Sequence, residues 1–140
     1  MHTRIRKFNT RDTYPEQKLD NDLSQVVVAK GAMVFVRGQV GQDLETGQSV
    51  AVGDAAAQAD FAMDNVAMLL REAGGDLGHI CKITIYLTDA RYREAVYRTV
   101  GARLRGVFPV STGLVVSALA RPEWLVEIDV IAVLPEQAGP

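Results

Sequence analysis

The sequence is poor in the residues on which several large functional classes depend. It has one cysteine and two histidines in 140 residues. A single thiol excludes an intrachain disulfide and fits a reducing compartment. So few soft ligands leave no zinc pattern, and neither a metal nor a cofactor is expected. Aromatic residues are 6% of the chain and the formal net charge is −2. Nucleic-acid binding relies on a basic excess, or on aromatics interleaved with basic groups, so no nucleic-acid partner is expected. No apolar run is long enough to span a bilayer. The opening MHTRIRKFNT carries charge with no apolar segment behind it, and does not read as a secretory signal. The resulting expectation is a cytoplasmic protein with no membrane partner.

What is present is globular material. Hydrophobic residues are 48% of the chain, and the length suits one domain with a real core. Residues 1–22 read as a solvated N-terminal arm or edge strand, with Arg4, Arg6, Lys7 and Arg11 offset by Asp12, Glu16, Asp20 and Asp22. Residues 23–140 read as a single domain. Leu23 to Ala29 and Met33 to Gln39 are rich in valine and break at Lys30-Gly31, a β-hairpin signal. Arg37 falls on the face of Met33 and Phe35, where it needs a carboxylate, a ligand or an exposed edge. Gly38 beside it admits close approach of a backbone or ligand.

Residues 41–53 form a loop. Asp54 is a good N-cap for a helix from Ala55, with Ala59, Met63, Val66 and Leu70 at helical spacing and Gly74-Gly75 at its end. Ile80 to Leu87 reads as a strand, with Cys81, Ile83, Ile85 and Leu87 on one face. Cys81 therefore looks like a small buried hydrophobe; a thiol paired with His79 is the lesser alternative. Asp89 caps a second helix to about Leu104, with Tyr92, Val96, Val100 and Leu104 inward. Arg91, Arg93, Arg98 and Arg103 fall mostly on its solvated side.

Two strands follow, about Ser111 to Ala118 and Trp124 to Leu134. In the second, Val126, Ile128, Val130 and Ala132 point one way, and Glu127, Asp129 and Ile131 point the other. Two carboxylates on a largely apolar face need partners, unless that face is a wet edge. The element order implies an α+β (α/β) layer with two helices on one sheet face. The other face is also apolar, and its natural cover is another copy of the chain.

Several motifs, in this order and spacing, resemble the RidA/YjgF family, also called the L-PSP endoribonuclease or translation-inhibitor family. They are Ser24-Gln25, Gly38-Gln39, Thr46-Gly47, Ala57-Gln58 with Asn65, Lys82-Ile83-Thr84, Asp89, Phe108-Pro109 and Val126 to Val133. The resemblance implies a chorismate-mutase-like fold, a homotrimer and clefts between subunits. For one branch it implies hydrolysis of reactive enamine or imine intermediates to ketoacids and ammonia. There a glutamate matching Glu127 positions the attacking water. An arginine grips the substrate carboxylate, and a tyrosine lines the cleft. Here Ser111 stands at the arginine position, Leu23 at the tyrosine position, and Arg37 where the family has serine before Gly38. Ser111 cannot make the bidentate clamp of a guanidinium, so the chain reads as a divergent branch.

The candidate site is thus Glu127 as the catalytic group, with Arg37, Gly38, Ser111, Gly113 and Leu23 as ligand-binding positions. The expected function is a homotrimer binding a small anionic metabolite between subunits, with hydrolysis of an imine-type intermediate as its chemistry. A metabolite-binding trimer without turnover is the alternative. An endoribonuclease is the least favoured reading.

Overall fold

The structure, a computed structural model, describes residues 2–136. In chain order the elements are β1 (Thr3–Asn9), a helical turn α1 (Thr10–Thr13), β2 (Asp22–Val28), β3 (Gly31–Gln39), α2 (Ala55–Glu72), β4 (Ile80–Leu87), α3 (Arg93–Arg103), β5 (Val110–Val115) and β6 (Val126–Pro135).

The period-two pattern of β6 builds the core. Val126, Ile128, Val130 and Ala132 are all buried. The strand is hydrogen-bonded on both sides, antiparallel to β3 and to β4, and β4 runs parallel to β5. The sheet order is therefore β3-β6-β4-β5. The last two strands, consecutive in sequence, are separated by β4. Both longer helices lie on the same face. Met63, Val66 and Leu70 of α2 and Val96 and Val100 of α3 meet the inward residues of β4 and β6 in one core. Asp54 caps α2 through Oδ1, which accepts the Ala57 N–H at 3.0 Å. Asp89 caps the short 3-10 turn that leads into α3. Arg103 is not purely solvated. It ties α3 to α2 through Asp60 and Asp64, at 3.0 and 2.8 Å.

The expected β2–β3 hairpin does not form. β2 pairs antiparallel with β1, from Thr3↔Val28 to Asn9↔Asp22. The resulting two-stranded ribbon crosses the end of the four-stranded sheet. Its Ser24 N–H donates to the Pro109 carbonyl at 3.0 Å, and Ser24 Oγ donates to the Phe108 carbonyl at 2.7 Å. The Arg4 guanidinium donates to the carbonyls of Ile80 and Phe108 at 3.1 and 3.2 Å. Arg4 therefore belongs to the fold, where composition alone placed it in a solvated cluster. The corner between β2 and β3 explains the departure. Gly31 sits at φ 146°, and a Cβ there would strike the Leu134 carbonyl. Valine content marks both segments as strands but carries no information on which partner each takes.

A register shift between Ile80 and Lys82 also changes the reading of β4. It turns Ile80 into the core beside Ile83, Ile85 and Leu87, whereas Cys81 is only half-buried. Cys81 is thus not a core residue, and its thiol donates to the His79 carbonyl at 3.7 Å.

Gln58, fully buried on α2, aims the chain into β6. Its Nε2 donates to the Glu123 carbonyl at 2.9 Å, and its Oε1 accepts the Leu125 N–H at 2.9 Å. Replacing Gln58 with leucine leaves a buried donor and acceptor unpaired, at a cost of about 2–4 kcal/mol. Urea unfolding of Gln58→Leu should show that loss; an unchanged midpoint would mean that this side chain does not hold the loop.

Candidate functional site

The open face of the sheet carries the first group of polar residues. Alternation puts Glu127 and Asp129 on the side away from the helices. The β4 register sets Tyr86 opposite Glu127 and Thr84 opposite Asp129. Tyr86 donates its hydroxyl to Asp129 Oδ2 at 3.0 Å, so Asp129 has a structural partner. Glu127 has no protein donor among the described residues. Its carboxylate packs over Gly38 so closely that a Cβ there would collide with it.

Burial pushes the Glu127 carboxyl above the usual glutamate range, the neighbouring Asp129 charge pushes the same way, and Arg37 opposes both. Arg37 is exposed and acts through its charge, without a contact ion pair to Glu127. Arg37, Gly38 and Glu127 thus lie near one another on this face.

Leu23, Ser111 and Gly113 are also brought together, but elsewhere. In the parallel ladder Ser111 lies beside Ile83 and Gly113 beside Ile85, on the helix-facing side of the sheet. All three line a cavity of about 540 Å³ bounded by the N-terminal ribbon, β5 and α3. The Tyr97 phenol of α3 occupies the space that a side chain on Gly113 would take. Burial raises the phenol's pKa. The Arg93 guanidinium stacks on that ring, 4.8 Å from its centroid, and lines the cavity too. The candidate residues therefore form two half-sites on opposite faces of one sheet.

Three residues of these half-sites escaped sequence reasoning: Tyr86, Tyr97 and Arg93. Alternation along β4 puts Tyr86 on the face opposite Ile83 and Ile85, but its neighbours on β6 depend on strand order. Arg93 and Tyr97 stand four apart on one helix, the spacing at which such side chains meet, and that was the available signal. Among the described residues no group of three or more His, Cys, Asp or Glu is placed to hold a metal. Among the same residues no helix is long and apolar enough to cross a membrane.

Fold and site together define an α+β sheet protein with a half-buried glutamate on one face and a small-molecule-sized cavity under the other. The chain belongs to the family described as Endoribonuclease L-PSP, matched over residues 16–134, and hence to the RidA/YjgF group. It is 39% identical over 108 residues to protein DfrA of Myxococcus xanthus, covering 77% of this chain and 81% of that one. It is 33% identical over 100 residues to the 2-iminobutanoate/2-iminopropanoate deaminase of Mus musculus, covering 71% and 73%. The Rid-family protein YyfB of Yersinia pestis superimposes with a TM-score of 0.74 at 28% identity, covering 80% and 86%.

The raised Glu127 pKa has a stability consequence with a definite sign. The folded state holds this proton more tightly than the unfolded chain does. Its contribution is therefore intact below the unfolded pKa and is lost as pH rises through the folded one. Glu127→Gln should melt higher than the parent at pH 7, with the gain vanishing below the ordinary glutamate pKa. Thermal unfolding across pH checks this; a variant equally destabilised at both ends would contradict it.

Proposed function

We propose that the protein is a homotrimer that binds a small anionic metabolite in clefts between subunits and hydrolyses an imine- or enamine-type intermediate there. The observation that carries this reading is the Glu127 carboxylate, half-buried over Gly38 and without a protein donor, a group poised to hold a water molecule. In the reaction, Glu127 accepts a proton from water as its oxygen bonds to the imine carbon. Glu127 passes that proton to nitrogen, giving a carbinolamine; it then takes the hydroxyl proton and delivers it to nitrogen as the C–N bond breaks, releasing a ketone and ammonia. Arg37, beside Glu127, borders the ligand site and adds its positive charge to that corner. The deaminase name of the mouse relative supports the reaction class.

The trimer is supported by the open sheet face, where Met33 is 59% and Phe35 69% exposed. It is supported too by the division of the candidate residues between two faces. The sheet separates the two half-sites of one chain, so a site built from both calls for a second copy. The serine at position 111 favours a second reading, a binding trimer without turnover, because the family's carboxylate clamp is absent at that position.

Ammonia release from freshly generated 2-imino acids separates the two. Glu127→Gln should lower it by about 100-fold or more; release that survives the substitution would remove the proposed role. Ser111→Arg should raise carboxylate affinity or hydrolysis, and no gain in either from an intact trimer would count against the alignment of this strand.

A further inference from the structure

The chain carries serine where its family places an arginine, yet a guanidinium lines the same cavity from another element. We propose that Arg93 of α3 supplies the missing charge, making the cavity beside Ser111 and Gly113 a site for a small carboxylate with an apolar tail. Gly113 makes room for the Tyr97 phenol, and Tyr97 in turn supports Arg93. The guanidinium lies over the ring face, a contact that leaves its N–H groups available to a bidentate acceptor.

The other arginines of this region are engaged. Arg91 pairs with Asp89 and Arg98 with Glu94, each at 2.7 Å, and Arg103 bridges to α2. Arg93 has no such partner among the described residues. The acid on the cavity wall, Asp22, already accepts the Asn9 amide and the Gly106 N–H, each at 2.9 Å. The floor is apolar: Ile83, Ile85, Val100 and Leu104. A carboxylate head at Arg93 thus leaves a branched aliphatic tail over hydrocarbon. The volume, about 540 Å³, is that of an ordinary small-molecule pocket. This inference rests on reading the cavity as part of the ligand site, but not on any chemistry at Glu127.

The test is equilibrium binding, with no turnover in the readout. 4-Methylpentanoate is titrated calorimetrically into the whole protein, with 4-methylpentanamide as its uncharged counterpart. The acid should bind about tenfold or more tighter than the amide, and Arg93→Met should erase that difference. Arg93→Lys should restore part of it, and Arg98→Met, on the same helix, should bind like the parent. No saturable binding of the acid, equal binding of acid and amide, or parental affinity in Arg93→Met each overturns the proposal. Loss of acid binding in Arg37→Met alone would assign the charge to the Glu127 corner and overturn it equally. Since ammonia release is measured separately, a protein inactive on imines still passes or fails this test.

Discussion

Everything in this molecule hangs on the two-sidedness of β6. A strand has only two directions for its side chains. Once Val126, Ile128, Val130 and Ala132 are committed to the core, Glu127 and Asp129 must stand on the opposite face. Slipping the register by one residue would bury two carboxylates and expose four apolar groups, so the arrangement is strongly fixed. The position of β6 between β3 and β4 then supplies the surroundings. Gly38 offers backbone to the Glu127 carboxylate from one side, and Tyr86 offers a hydroxyl to Asp129 from the other. Of two chemically similar acids, one becomes structural and the other is left without a protein donor.

The second half-site depends on a different device. The β1–β2 ribbon closes the end of the sheet and bonds the Phe108 carbonyl through both Arg4 and Ser24. Phe108 sits at φ 56°, in the left-handed region that bulky residues avoid, directly before Pro109. The ribbon's hydrogen bonds hold that corner, and the corner sets where β5 begins and where Ser111 lies. The N-terminal segment is therefore tied to the cavity it walls.

Much of the frame was legible in the sequence because it follows from local rules. Periodicity located β6 and α2, and Asp54 announced its helix. Glu127 stood out as a charge on an apolar face. The pairing of β2 with β1 was not legible, because strand propensity says nothing of partners. The corner at Gly31 is imposed by the Leu134 carbonyl, 103 positions away. The half-burial of Cys81 depends on a bulge that leaves no mark in composition. The cavity was hidden for a similar reason. Ser111 and Gly113 were chosen through the family resemblance, whereas Tyr97 and Arg93 become visible only when α3 is laid across β5.

The two half-sites face opposite sides of one sheet, so the account requires that a working site draw on two copies. Complementation between inactive variants measures this most directly. Glu127→Gln removes the carboxylate proposed to hold the water, and Ser111→Trp fills the cavity that Ser111 lines. Chains of the two kinds are co-refolded in equal amounts and assayed for ammonia release from 2-imino acids. Shared sites predict recovery to roughly a quarter of the parental rate, the fraction of interfaces at which both intact halves meet by chance. A mixture as inactive as either variant alone would show that each site is contained in one chain, and would contradict the account.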